Sequence, residues 1–197
     1  MIPIWKTGLE KWKGGSGMAD LYQTPIEVGE YMASLLPEGV QKVLEPTPGD
    51  GNLVKVLNER GYEVTAPEDF FLLDKGQWFD AVFMNPPFSS KSGISTNAPV
   101  DYPTGMNFGY QIFFECLELS DIVIALMPWF TISASDVRLR FLIDYGLKSV
   151  TLLPRKTFNY ARIQTCVFEL RKGYKGTTEF KALDRINHST NSLIHQH

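Results

Sequence analysis

An open α/β sheet, mainly parallel, with helices on both faces and an antiparallel pair of strands at one edge, is the fold class this sequence predicts. Three observations lead there. Short apolar runs at 41–44, 62–66, 79–84 and 121–127 alternate with helix-spaced segments, the pattern of strands that cross over through helices. The run Asp121-Ile-Val-Ile-Ala-Leu-Met127 is apolar almost throughout, as a strand covered on both faces requires. Two further runs, 149–153 and 164–170, follow one another across about ten polar residues, which suits a hairpin-like pair.

Punctuation residues set the helices. Thr24-Pro25 predicts a helix over 24–36, with Thr24 as N-cap and Pro25 at the first helical position. Residues 52–60 carry Leu53, Val54 and Leu57 at helical spacing and stop at Gly61. Segments 108–119 and 134–145 repeat the pattern, the second closed by Gly146. Two unusual turns, 45–51 and 85–88, end strands at the carboxyl side of the sheet, where ligands sit in such folds.

The whole chain has 197 residues, enough for one domain with a sizeable core, and 13% aromatic content excludes disorder. A net charge of −3 excludes a chain that binds polyanions through its bulk charge, so any such contact has to be local. Cys116 and Cys166 lie in apolar runs far apart, which predicts buried reduced thiols rather than a disulfide framework or a zinc site. No stretch has the roughly 18 consecutive apolar residues of a membrane span, and the N-terminus lacks the apolar run of a signal peptide. A cytoplasmic protein without membrane attachment is the expectation. The organisation expected is an N-terminal arm at 1–20, a catalytic domain at 21–183 and a polar tail at 184–197.

The turn Glu45-Pro-Thr-Pro-Gly-Asp-Gly51 combines glycines, which let a ligand approach the backbone, with a carboxylate suited to a donor or a positive charge. It has neither the lysine of a phosphate loop nor a third glycine of the dinucleotide type, and a strand-to-helix turn needs glycine for its own geometry as well. Asn85-Pro86-Pro87-Phe88 is more specific. Its prolines stiffen the backbone so that the Asn85 side-chain oxygen and the Pro86 carbonyl form a rigid pair of acceptors. Such a pair suits an amino group, whose lone pair it withdraws from a conjugated ring, and Phe88 offers a flat face for a planar base.

These motifs resemble the S-adenosylmethionine-dependent amino-methyltransferases, specifically the N6-adenine DNA methyltransferases whose N-terminal cofactor segment comes first. The resemblance is collinear over most of the chain and implies a Rossmann-like class I methyltransferase fold. It implies that Tyr22, Thr24 and Pro25 wrap the cofactor, that Glu45 lies near its methionine amino end, and that Thr47, Gly49 and Gly51 give backbone contacts. It further implies that Asp69 accepts from the cofactor adenine, that Phe70 flanks that ring, and that Asn85, Pro86, Pro87 and Phe88 are catalytic. Phe158 falls where the family keeps an aromatic that packs on the flipped target base, although a phenylalanine between edge strands also serves simple packing.

The chain departs from the family pattern twice. Val64-Thr65-Ala66-Pro67 runs directly into Glu68-Asp69, so a helix and a third strand are missing, together with the usual ribose-holding acid, for which Glu68 is the candidate replacement. Beyond the catalytic domain nothing remains for a target-recognition region, so specificity is expected from loops, a partner chain or a second copy. The polar segment 89–109 is the candidate substrate loop.

Over 148–175 seven basic residues face one acid, and Lys156 and Arg162 in this stretch are expected to touch DNA beside Phe158; a solvated edge hairpin has a similar composition. The arm adds Lys6, Lys11 and Lys13 among Trp5 and Trp12. The expected activity is adenine-specific DNA methylation with S-adenosylmethionine as cofactor. Methylation of RNA adenine or of protein glutamine, or a silent nucleic-acid-binding subunit, are the alternatives.

Overall fold

Alternation along each strand divides the core into two layers. The computed structural model describes residues 23–88, 95, 97–158 and 163–184 of the chain. Within them the order is α1 (Ile26–Ala33), β1 (Lys42–Leu44), α2 (Asn52–Glu59), β2 (Glu63–Thr65), a 3₁₀ turn (Phe70–Leu72), β3 (Ala81–Met84), α3 (Met106–Cys116), β4 (Ile122–Pro128), α4 (Phe130–Ser133), α5 (Asp136–Tyr145), β5 (Leu147–Leu152), β6 (Thr165–Arg171) and β7 (Glu179–Ala182). The seven strands form one sheet in the order β2-β1-β3-β4-β6-β5-β7. Only the pairings made by β6 are antiparallel.

Val43, Ala81, Phe83, Ile124, Leu126 and Val167 share one face of the sheet and pack against Val28 and Met32 of α1 and Leu53, Val56 and Leu57 of α2. Their sequence neighbours Leu44, Val82, Met84, Val123, Ala125 and Met127 point the other way, toward Ile112, Phe113 and Cys116 of α3 and Leu142 of α5. Fully buried rings such as Phe83, Phe113 and Phe168 are each worth about 2–3 kcal/mol. Asp80 aligns the starts of β1 and β3, its carboxylate accepting from the backbone of Gln41 at 2.9 Å and Lys42 at 2.8 Å.

Several predicted elements change in detail. The first helix is shorter than 24–36 and its N-cap is Pro25, with extended backbone (φ −57°, ψ 144°) and no side-chain cap. Thr24 is drawn away from capping by a partner 61 residues downstream, described below. The helix expected over 134–145 begins at Asp136, capped by Ser135 Oγ accepting from Arg138 N, and the separate turn of α4 precedes it. The antiparallel pair is present, and outside it lies β7, which pairs with β5 in parallel and was not expected. All four β7 residues are exposed, so no apolar alternation marks it.

At the opposite edge, among the described residues, no strand lies beyond β2, and residues 66–69 lead straight into the 3₁₀ turn. This is the trimming the spacing predicted. Both cysteines are free and buried, and burial pushes both thiols up. No helix among the described residues is long and apolar enough to cross a membrane. The arm 1–20 lies outside the described residues, as does the tail beyond residue 184.

The topology sets where a ligand fits. From β1 the chain turns to β2 on one side and later to β3 on the other, a switch point whose carboxyl end carries the Glu45 and Asn85 turns.

Candidate functional site

Asn85 is the first residue beyond β3, and its amide is fixed from a distance. Its Nδ2 donates to Thr24 Oγ1 at 3.0 Å, and Thr24 is buried beside the start of α1. The Asn85 carbonyl accepts from Thr47 Oγ1 at 3.3 Å. The amide nitrogen is thereby assigned its side, so Oδ1 is the atom able to accept from an amino group. Thr24 and Thr47, both expected at the cofactor, thus hold Asn85, the residue expected to be catalytic.

Glu45 ends the first strand with its backbone N–H still bonded to Thr65 O at 2.9 Å. Its carboxylate is fully buried. Oε1 accepts from Thr47 N at 3.3 Å and Thr47 Oγ1 at 3.4 Å, while Oε2 is buried with no hydrogen-bond partner among the described residues. Burial pushes its pKa up to about 8, against the weaker pull of the Thr47 hydrogen bonds. An orphaned buried oxygen on a carboxylate this perturbed is the complement of a cation.

After Glu45 the turn passes Gly51 at φ +86°, a backbone conformation L side chains rarely adopt, with open space where a Cβ would stand. Gly49 sits against Gln23, whose amide would meet an added Cβ at 2.9 Å.

Asp69 N-caps the 3₁₀ turn, accepting from Phe71 N at 3.0 Å. Its other oxygen accepts from Ser95 Oγ and from Asn97 Nδ2, the latter at 2.9 Å. Burial would raise this carboxyl, but the bonds from Ser95, Phe71 and Asn97 outweigh it and hold the pKa below the ordinary value. The carboxylate expected to receive the cofactor adenine is therefore occupied by Ser95 and Asn97, which follow the Asn85–Phe88 turn in sequence. Phe70, expected to flank the adenine, is a core residue at 3% exposure, and Phe71 beside it is half-buried. The candidate ribose ligand Glu68 is exposed.

Phe88 is half-buried, its ring edge-on to Tyr110 with centroids 5.1 Å apart. Gly109, inside α3, is a residue sequence reasoning missed. A Cβ there would stand 2.7 Å from Pro87 O and 2.9 Å from the Phe88 ring, so only glycine lets α3 back the tetrapeptide this closely. The available signal was a glycine in a helix interior, which costs about 1 kcal/mol against alanine and so calls for a packing reason.

The expected companion of Phe88 does not join it. Phe158 is 8% exposed and packs in the layer under α1 and α2, whereas Phe88 packs with the opposite layer. In this conformation its ring is core packing. Tyr22 and Arg162 lie outside the described residues. The basic stretch is thinner on the surface than in sequence, because Lys148 and Arg171 both pair with buried Glu169 at 2.9 Å and Lys172 with Asp121 at 3.6 Å. Lys156 and Arg155 are exposed, with no ion pair among the described residues.

Neither a protein-family model nor a curated relative matches the chain. Solved structures do. A Listeria monocytogenes protein described as a class I S-adenosylmethionine-dependent methyltransferase superposes with a TM-score of 0.65 at 15% identity, over 88% of this chain and 69% of that one. The methyltransferase subunit of a type I restriction-modification system from Streptococcus thermophilus gives 0.62 at 16% identity, over 82% of this chain and 47% of its own. A Vibrio vulnificus protein described as a modification subunit of a type I restriction enzyme gives 0.57 at 18% identity, over 81% and 46%. This chain spans under half the length of those two subunits. With its strand order, the reversed β6 and these likenesses, the chain has a Rossmann-like class I methyltransferase fold.

Proposed function

We propose that this chain binds S-adenosylmethionine and methylates the N6 amino group of adenine in DNA, the base rotated out of its stack. The observation that carries the reading is Asn85 held at both ends, its amide nitrogen by Thr24 and its carbonyl by Thr47, ahead of two prolines. So fixed, Asn85 Oδ1 and the Pro86 carbonyl accept the two hydrogens of an amino group and keep the nitrogen lone pair out of ring conjugation. Preorganised acceptors of this kind stabilise the positive charge that grows on the nitrogen without reorganising.

The cofactor fits the residues present. Glu45, with its unpartnered oxygen, suits an ammonium, and the glycine turn admits a ligand close to the backbone. When bound, the cofactor supplies an electrophilic methyl group on a sulfonium. Phe88 would give the target base a flat wall, and exposed Lys156 is the cation we assign to backbone phosphates. DNA as substrate is supported by the restriction-modification subunits among the similar structures. We assign sequence recognition beyond this chain's own loops to a partner subunit or a second copy, as the modification subunits among the similar structures suggest.

Transfer of a labelled methyl group, offered DNA, RNA and protein in parallel, tests the proposal. DNA labelled at adenine N6 is expected, and Asn85→Ala should lower the rate about 100- to 1000-fold while cofactor affinity stays within about threefold. Labelling confined to RNA or protein overturns the substrate. Absence of cofactor binding by calorimetry overturns the enzyme and leaves a silent subunit.

A further inference from the structure

Between α3 and α5, at the Tyr110 ring that Phe88 meets edge-on, lies a cavity of about 300 Å³ lined by Pro103, Asn107, Tyr110, Gln111, Phe114 and Arg138. That volume is at the lower end for a small-ligand pocket. Asn107 stands in the first turn of α3 and Arg138 in the first turn of α5. These helices follow β3 and β4, so the cavity opens at the same end of the sheet as the catalytic tetrapeptide.

The lining has a specific chemistry. Arg138 donates through Nε to Thr131 O at 2.9 Å and through a terminal nitrogen to Phe130 O at 3.4 Å, which pins its guanidinium over the Tyr110 ring, 4.7 Å from the centroid. Two of its five N–H groups are used in this way. Gln111 donates to Glu115 Oε1 at 3.2 Å, which sets its amide oxygen as an acceptor. Asn107 and Gln111 are four apart on one helix and share a face. A pinned cation, two carboxamides and apolar walls from Pro103 and Phe114 match the phosphate, the edge and the face of a nucleotide.

We infer that this cavity is the subsite for the nucleotide next to the methylated base, with Arg138 on its phosphate and Gln111 and Asn107 on its base edge. The inference rests on the nucleic-acid reading above and adds to it a residue set that reads the flanking position.

Two measurements on the full chain test it, using duplex oligonucleotides with one adenine and all four bases at each neighbouring position. In the first, Arg138→Ala should raise KM for DNA about tenfold with cofactor affinity unchanged, and Gln111→Ala should flatten the preference at one flanking position. In the second, which needs no turnover, 5-iododeoxyuridine next to the adenine should photocrosslink to Tyr110 or Phe114. Methylation with unchanged KM and flanking preference in both variants, and crosslinks elsewhere, overturns the subsite and leaves the methylase reading standing. Crosslinking at Tyr110 or Phe114 without methylation overturns the methylase reading and keeps the cavity as a nucleotide site only. Neither methylation nor crosslinking overturns both.

Discussion

Two buried glutamates of this chain face opposite fates. Glu169 on β6, 3% exposed, receives Lys148 and Arg171 at 2.9 Å and the Ser149 hydroxyl at 3.0 Å. Burial would raise its pKa, but those partners outweigh it, and the carboxyl lies below the ordinary value. Glu45, equally buried, has one threonine, an orphaned oxygen and a pKa of about 8. A carboxylate whose partners are all built into the fold is structural; one left short of a partner among the described residues is the one we propose for the cofactor.

Substitutions sharpen the contrast. The largest effect is expected from Glu169→Ala, which leaves two cations beside a buried hole. Because Lys148 is partly exposed, the loss is about 2–3 kcal/mol by denaturant unfolding, with cofactor affinity nearly unchanged. Glu45→Gln should do the reverse, weakening cofactor binding about tenfold or more in calorimetry while unfolding stability at about pH 7.5 holds or rises. Equal destabilisation by both changes would erase the distinction.

The pH dependence of stability should carry opposite signs. For Glu45 the folded pKa, about 8, lies above the ordinary value of 4.5, so its contribution is fully present below pH 4.5 and is lost as pH rises through 8. For Glu169 the folded pKa is depressed, so its contribution is present above the ordinary value and lost as pH falls through the lower one. A tenfold difference in proton affinity between the folded and unfolded chain corresponds to about 1.4 kcal/mol, so the Glu45 slope is measurable in unfolding curves between about pH 5 and 8 and should vanish in Glu45→Gln. The smallest effect is that of Thr47→Val, which removes the single hydroxyl hydrogen shared between the Glu45 carboxylate and the Asn85 carbonyl. A loss of about threefold in kcat/KM, with a further rise of the Glu45 pKa, is expected.

Apolar runs made β1, β3, β4 and β6 legible, because strands covered on both faces have no other way to be written. The turn at 85–88 was legible for the same kind of reason: consecutive prolines after a buried strand restrict the backbone whatever surrounds them. What stayed hidden depends on partners distant in sequence. Thr24 has every local mark of an N-cap, yet Asn85 claims its hydroxyl. Phe158 follows the turn at 85–88 in the expected order, but order says nothing about which face of the sheet a ring enters. The basic stretch overstated its surface charge, since Glu169 on the same strand pair absorbs two of its cations. β7 is exposed throughout and carries no apolar signature at all.

The hydrogen bond from Asn85 to Thr24 makes the Asn85 turn a joint between two stretches of chain separated by the exposed turn at 37–39. A break in that turn would leave β1 to β7 on one fragment and the partner of the Asn85 amide on the other. Under the proposed activity, methyl transfer would then report reassociation of the helix before the first strand with the sheet.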